Sequence, residues 1–262
     1  MKKFYVIGNK TSKSLSPLIF NYWFKKYKIK AKYDYVELNN NTFDKKIKEI
    51  LKDDALCGMN VTIPFKKEIM KYIHVFDKHS KKINAVNCVS IKKNKIKGIN
   101  TDWKGYFKSL PNRKNFKRHK TIIIGYGGAA LAIHYVLQSK GFQNITVFNR
   151  SRKKLRFTNR AKFTKNISLL EQHLISAKFI INTVPRNLIK KDSTKLISET
   201  ALLSDIVYKP KETNFLKLFP KNKKVYGIQM LLEQARLSFD FWFGYMPEVD
   251  KKLLEILEKK TK

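Results

Sequence analysis

Acidic residues are few in this 262-residue chain: 20 Asp and Glu stand against 56 Lys and Arg, a formal net charge of +36. Such an excess raises nucleic acid as a partner. The lysines, however, run through nearly every segment and form no single stripe. Arginine, the better reader of bases and phosphate forks, is scarce beside lysine. With Asn and Ile also abundant, the composition reads as drift, and no specific nucleic-acid partner is expected. What remains is a solvated cationic surface that attracts small anions.

Cysteine is almost missing. Cys57 and Cys88 form no CxxC motif and fit a reduced cytoplasm. No apolar run approaches the roughly 18 residues of a membrane span. The opening Met1–Gly8 segment lacks the long apolar core and cleavage site of a signal peptide. A cytoplasmic protein without a membrane partner is therefore expected. Five histidines (His74, His79, His119, His134, His173) share no metal-ligand spacing, so they are assigned packing or surface roles and no metal is expected. Internal repeats and long low-complexity linkers are lacking as well.

What is present is a regular alternation of strand-like and helix-like segments, in a chain long enough for one large domain or two modest ones. Apolar spacing predicts strands over 4–7, 33–38 and 56–62, and helices over 17–27, 43–51 and 64–72, with Pro64 in the first turn of the last. Segments 84–91 and 95–99 flank the polar turn Lys92-Lys93-Asn94 and read as a hairpin. From residue 121 a short apolar strand, a glycine-rich turn, a helix over 130–140 and a strand over 144–148 make a βαβ unit, with Gly141 placed to end the helix. Further strands are predicted at 179–182, 203–207 and 224–226. Residues 230–260 read as two helices broken near Pro247, with Phe239, Phe241, Trp242 and Phe243 seating them on the first domain.

The turn Gly125-Tyr126-Gly127-Gly128-Ala129 departs from GxGxxG but follows the same physics. A glycine turn after a strand lets the backbone approach a pyrophosphate, and the next helix offers unpaired N–H groups and a positive dipole end. The following strand ends in Asn149-Arg150-Ser151-Arg152. An acid there would hold the ribose 2′-hydroxyl of NAD and repel the 2′-phosphate of NADP. Asn149, Arg150 and Ser151 offer donors, and Arg152 and Lys154 add positive charge, so NADP is the expected cofactor.

The first hundred residues carry polar groups that a plain core does not need: Ser14-Leu15-Ser16-Pro17 before a helix, Asn60 and Thr62 on one strand face, and Lys66 one step into a helix. Asn84-Ala85-Val86-Asn87 and Gly98-Ile99-Asn100-Thr101-Asp102 supply amides, hydroxyls and a carboxylate at strand ends. In order and spacing these pieces resemble the shikimate dehydrogenase family across essentially the whole chain. Asp205-Ile206-Val207-Tyr208-Lys209-Pro210, Ile181-Asn182-Thr183, and Gly227 with Met230-Leu231-Leu232-Glu233-Gln234-Ala235 join them. Tyr126 and Gln229 depart from the family pattern, which has a small residue and a glycine there.

The resemblance implies an α/β fold with a substrate-binding catalytic domain over 1–102, completed by C-terminal helices over 230–262. A Rossmann-like NADP-binding domain would fill 103–229. It implies NADPH-dependent reduction of 3-dehydroshikimate to shikimate in chorismate and aromatic amino acid biosynthesis. Lys66 and Asp102 would be the catalytic pair. Ser14 and Ser16 would bind the substrate carboxylate, and Thr62, Asn87, Asp102 and Gln234 the ring hydroxyls and carbonyl. Tyr208 would line the site near the nicotinamide. Gly125, Gly127, Gly128, Ala129, Asn149, Arg150, Ser151, Lys154, Thr183, Ile206 and Gly227 would hold the cofactor. The partners implied are small molecules, with the chain working as a monomer or homodimer. An NAD(P)-dependent quinate/shikimate dehydrogenase is the alternative, and a non-catalytic binding protein on the same fold is a more distant rival.

Overall fold

Strand β1 (Lys2–Gly8) buries Phe4 and Val6 toward one face and Ile7 toward the other, so it needs cover on both sides. The computed structural model describes residues 1–93, 95–111, 117–157 and 162–262. The chain divides into two units, Met1–Thr101 with Gln234–Leu257, and Asp102–Glu233 with Glu258–Lys262. The divisions expected from the sequence fall after residues 102 and 229.

In the first unit β1 is followed by α1 (Ser16–Lys26), β2 (Ala31–Glu37), α2 (Phe43–Ile50), β3 (Leu56–Val61), β4 (Val75–Phe76), α3 (Lys78–Ile83), β5 (Cys88–Lys92) and β6 (Lys95–Ile99). The sheet runs β2-β1-β3-β5-β6-β4. Its first three strands are parallel, and β5 and β6 form the antiparallel part. Asn94 of the expected hairpin turn lies outside the described residues.

The second unit contains α4 (Asp102–Ser109), β7 (Lys120–Ile124), α5 (Gly128–Ser139), β8 (Ile145–Asn149), β9 (Lys165–Asn166), β10 (Ala177–Asn182), β11 (Leu202–Asp205), α6 (Asn214–Lys217) and β12 (Lys223–Val225). Its sheet is parallel throughout, in the order β12-β11-β10-β7-β8-β9. This is the doubly wound order, and the topological switch falls between β7 and β10. Ile122, Ile124 and Ile180 face one core while Ile123, Phe179 and Ile181 face the other, which is why these strands read as unbroken apolar runs. The chain ends with α7 (Gly227–Phe243), whose residues from Gln234 belong to the first unit, and α8 (Lys251–Thr261). Pro247 falls between them, as its position in the sequence predicts.

One face of the first sheet is aliphatic, with Ile7, Met59, Val61 and Val89 against Phe43, Ile47, Phe65 and Ile69. The other is aromatic. Phe4 lies 4.7 Å from Trp242, Phe20 stacks on Tyr33 at 4.4 Å, and Phe239 meets Phe243 at 4.5 Å. Phe239, Trp242 and Phe243 thus fasten the second half of α7 to α1 and β1, while Phe241 is half-buried.

Two predicted elements differ. The segment 64–72 is not one α-helix: residues 63–67 form turns and only Glu68–Tyr72 is helical, as a 3₁₀ segment. The Lys66 carbonyl accepts from the Val86 amide at 2.8 Å, so the Met70 amide turns to the Lys67 carbonyl instead. Lys66 is therefore a turn residue. The strand expected over 84–91 begins only at Cys88, because Asn84 closes α3 in the left-handed region (φ 59°, ψ 43°). Asp77 caps that helix by accepting from the Ser80 amide.

Gly58 shows how tightly the aromatic face is built. A Cβ there would lie 2.5 Å from Trp242 Nε1 and 2.8 Å from the Val89 carbonyl oxygen, and that same indole N–H donates to Val89 at 2.9 Å. Gly58→Ala should therefore destabilise the protein by about 1–3 kcal/mol, the usual cost of overpacking. Urea unfolding followed by tryptophan fluorescence checks this; an unchanged midpoint would refute it.

Candidate active site

Within the first unit, hydrogen bonds tie three loops together beside the C-terminal end of β3. The Val61 amide donates to Asn87 O, the Asn87 amide to Ile99 O, and Val86 to Lys66 O. Asn87 is buried. Its Oδ1 accepts from the Thr101 amide at 2.6 Å and its Nδ2 donates to Thr101 Oγ1 at 2.9 Å. Thr101 Oγ1 lies 3.4 Å from Ser238 Oγ, which donates to the carbonyl of Gln234 one turn earlier on α7. This network brings Lys66, Asn87 and Gln234 to one end of the sheet, all three nearly buried. Thr62 stands just past β3, half-buried, its amide bonded to Ile7 O.

Ser14 and Ser16 flank Leu15 at the start of α1, and the Ser14 hydroxyl accepts from the Ser16 amide at 3.2 Å. Asp102 is buried and opens α4, directly after Thr101. Asn60, singled out beside Thr62, is fully engaged inside the protein. It accepts from Tyr33 Oη at 2.8 Å and donates to Asn87 O and Ser238 Oγ. Thr101 and Ser238 were missed as organisers. Thr101 belongs to the Gly98–Asp102 motif, in which its sequence position alone signals no role. The spacing of Ser238, one helical turn after Gln234, was the signal available.

In the second unit the glycine turn leaves β7 at the switch point. Gly125 has φ +97°, and a Cβ would meet Thr183 Oγ1 at 2.5 Å, so both conformation and space require glycine. Thr183 donates to the Ile124 carbonyl from its amide (2.9 Å) and its hydroxyl (2.7 Å). Gly127 is extended, and a Cβ on it would meet nothing within 4 Å. It lies at the head of the twelve-residue α5, where Gly128 and Ala129 form the first turn and no side chain caps the amides. Open space above free helical N–H groups is the shape a pyrophosphate needs.

Tyr126, the odd residue of the turn, points inward. Its Oη lies 3.2 Å from His134 Nδ1 and accepts from the Arg156 amide at 3.1 Å, so the bulky side chain leaves the open space clear. At the end of β8, Asn149 donates to the Ser151 carbonyl and folds the loop, while Arg150, Ser151 and Lys154 are exposed.

Asp205 anchors the loop after β11. Its carboxylate accepts from Thr213 Oγ1, Asn182 Nδ2 and the Val207 amide, and burial pushes its pKa up. Ile206 donates its amide to Asn182 O, and Tyr208 follows half-buried. Gly227 is buried beneath the carbonyls of Ile206 and Val207. No sequence signal separated Asp205 from its motif neighbours. Among the described residues, no cluster of three His, Cys, Asp or Glu could hold a metal ion, and no helix is long and apolar enough to cross a membrane.

Residues 6–89 match the shikimate dehydrogenase substrate binding domain. A shikimate dehydrogenase (NADP(+)) from Pelagibacter ubique is 34% identical over 269 residues, spanning 98% of this chain and 99% of that protein. The chain belongs to the shikimate dehydrogenase family. Another member, the shikimate dehydrogenase (NADP(+)) of Clostridium perfringens strain ATCC 13124, is 35% identical over 272 residues, covering 100% of this chain and 99% of its own. The crystal structure of shikimate dehydrogenase 1 from Peptoclostridium difficile superposes with a TM-score of 0.85 at 27% identity, covering 99% of this chain and 97% of that one. The mixed α/β architecture with a doubly wound unit is the fold of this family.

His134 adds a testable pH dependence to the site. Burial lowers its pKa from 6.5 to about 4. The unfolded chain therefore binds the proton more readily than the folded one. This contribution to stability is complete above pH 6.5 and is lost as pH falls toward 4. Between pH 6.5 and 5 the loss should be about 1.5 kcal/mol. Urea unfolding across that window should show it, with a flatter profile for His134→Gln; identical slopes would contradict the assignment.

Proposed function

We propose that this chain catalyses the reversible, NADPH-dependent reduction of 3-dehydroshikimate to shikimate, a step of chorismate and aromatic amino acid biosynthesis in the cytoplasm, as a monomer or homodimer. Lys66 carries the reading. It is a nearly buried lysine, its own carbonyl tied to Val86, next to the Asn87–Thr101 pair, in the unit that matches the family's substrate-binding domain. The first unit then serves the substrate and the second the cofactor.

Ser14 and Ser16, at the head of α1, hold the substrate carboxylate, where helical N–H groups also favour an anion. Thr62, Asn87, Asp102 and Gln234 hold the ring hydroxyls and carbonyl, and Tyr208 lines the site near the nicotinamide. Bound NADPH supplies the hydride. As the ketone oxygen gathers negative charge, the Lys66 ammonium stabilises it and donates the proton; in the reverse direction Lys66 takes the proton back. Asp102 orients that ammonium. Gly125, Gly127, Gly128 and Ala129 admit the pyrophosphate to the head of α5. Thr183, Ile206 and Gly227 line the nicotinamide end. Asn149, Arg150, Ser151 and Lys154 receive the 2′-phosphate, supported by the lack of any acid at the end of β8.

An absorbance assay of NADP reduction by shikimate, repeated with quinate and with NAD, tests the reading. A kcat/KM that favours shikimate and NADP supports it; a preference for quinate or NAD would replace it with the broader quinate/shikimate activity. Lys66→Ala should lower kcat by roughly 10²-fold or more with a smaller change in KM, as for a group acting mainly in the transition state. Near-normal kcat in a folded variant would remove Lys66 from the chemistry.

A further inference from the structure

The loop after β8 does not end at Ser151. It runs into a short antiparallel ribbon in which Lys154 faces Phe163. The Leu155 amide donates to Lys162 O, and the Thr164 amide donates to Lys153 O. Thr164 Oγ1 accepts from the Lys153 amide at 3.0 Å and donates to the Ser151 carbonyl at 3.3 Å, which fastens the ribbon to the Asn149-Arg150-Ser151 loop. Side chains alternate along such a ribbon. Leu155 and Thr164 are buried, whereas Arg152, Lys154 and Phe163 are exposed. The Arg152 guanidinium carbon lies 4.1 Å above the centre of the Phe163 ring. Phe163 is thus an exposed aromatic whose visible work is to hold an arginine. No described carboxylate forms an ion pair with Arg150, Arg152 or Lys154.

A guanidinium held over a ring spends none of its N–H groups on a carboxylate, and its rotamer freedom is already reduced before a ligand arrives. We propose that Phe163 is a positioning residue that holds Arg152 as an additional ligand for the 2′-phosphate of the dinucleotide, so that the ribbon helps set the preference for NADP over NAD. This rests on the NADP reading of the loop after β8. It gives Arg152, so far only one of the cations after β8, a defined contact, and it adds Phe163, which neither the glycine turn nor the Asn-Arg-Ser loop includes.

Calorimetric titration with adenosine 2′,5′-bisphosphate and with 5′-AMP, at one fixed ionic strength, tests the proposal without turnover. Arg152→Ala should weaken bisphosphate binding about tenfold and leave 5′-AMP unchanged, as for the loss of a charge-assisted contact. Phe163→Leu should weaken the bisphosphate alone by about threefold, and Phe163→Tyr should restore wild-type binding. The double variant Arg152→Ala/Phe163→Leu should bind no worse than Arg152→Ala, because the ring acts through the arginine. The ratio of kcat/KM for NADPH over NADH should fall in the same order. Equal weakening of both nucleotides by Phe163→Leu, additive effects in the double variant, or an indifferent Arg152→Ala would each overturn the proposal. Arg150→Ala separates the two levels. If it weakens the bisphosphate while Arg152→Ala does not, only the ribbon's role falls. If the wild-type protein binds 5′-AMP as tightly as the bisphosphate, the NADP reading falls with it.

Discussion

A polar group taken out of water must find its partners inside the protein, and in each unit that requirement falls on one side chain near the candidate site. In the first it is Asn60, whose amide joins Tyr33 on β2, the Asn87 carbonyl before β5 and Ser238 on α7. In the second it is Asp205, whose carboxylate gathers Thr213, Asn182 and the Val207 amide. Removing either side chain would leave several buried donors or acceptors unmatched at once. Asn60 thereby fixes the segment that carries Asn87, and Asp205 the loop that leads to Tyr208.

The same constraint explains what could be read from the chain and what could not. The βαβ unit was legible because its signals are local: an isoleucine run, a glycine turn and the apolar residues of α5. Lys66 was visible as a candidate, but its setting was misjudged. The bond between its carbonyl and Val86 joins residues far apart in sequence and overrides the helical spacing of 64–72. Helix α3 carries only Ser80 and Ile83 as buried residues, too few to make an apolar stripe. Asn60 and Thr62 look equivalent on an alternating strand, yet only the fold reveals that Asn60 faces Tyr33 and Ser238. Thr101 and Ser238 are ordinary hydroxyl residues until α7 lies beside the segment that follows β6.

The large positive charge reads differently once located. Most lysines sit on the surface, several paired with the few acids available, such as Lys26 with Glu248 and Asp250, or Lys221 with Glu199. Exposed pairs of this kind contribute little individually. At the end of β8 the cations are left without acidic partners, so the same composition that solvates the rest of the protein presents an anion-receptive face there.

Tyr126 has a consequence for what the turn tolerates. Its hydroxyl meets His134 on α5 and the amide of Arg156 on the ribbon, so three segments have come to rely on one atypical side chain. The turn cannot exchange this tyrosine freely for a small residue. Doing so would strand a buried imidazole and an amide, and would open a void beneath the turn. The cost of changing Tyr126 therefore depends on what stands at position 134, while the Arg156 amide loses its partner in either case. Position 126 and its neighbours are thus energetically coupled, and their substitutions do not add.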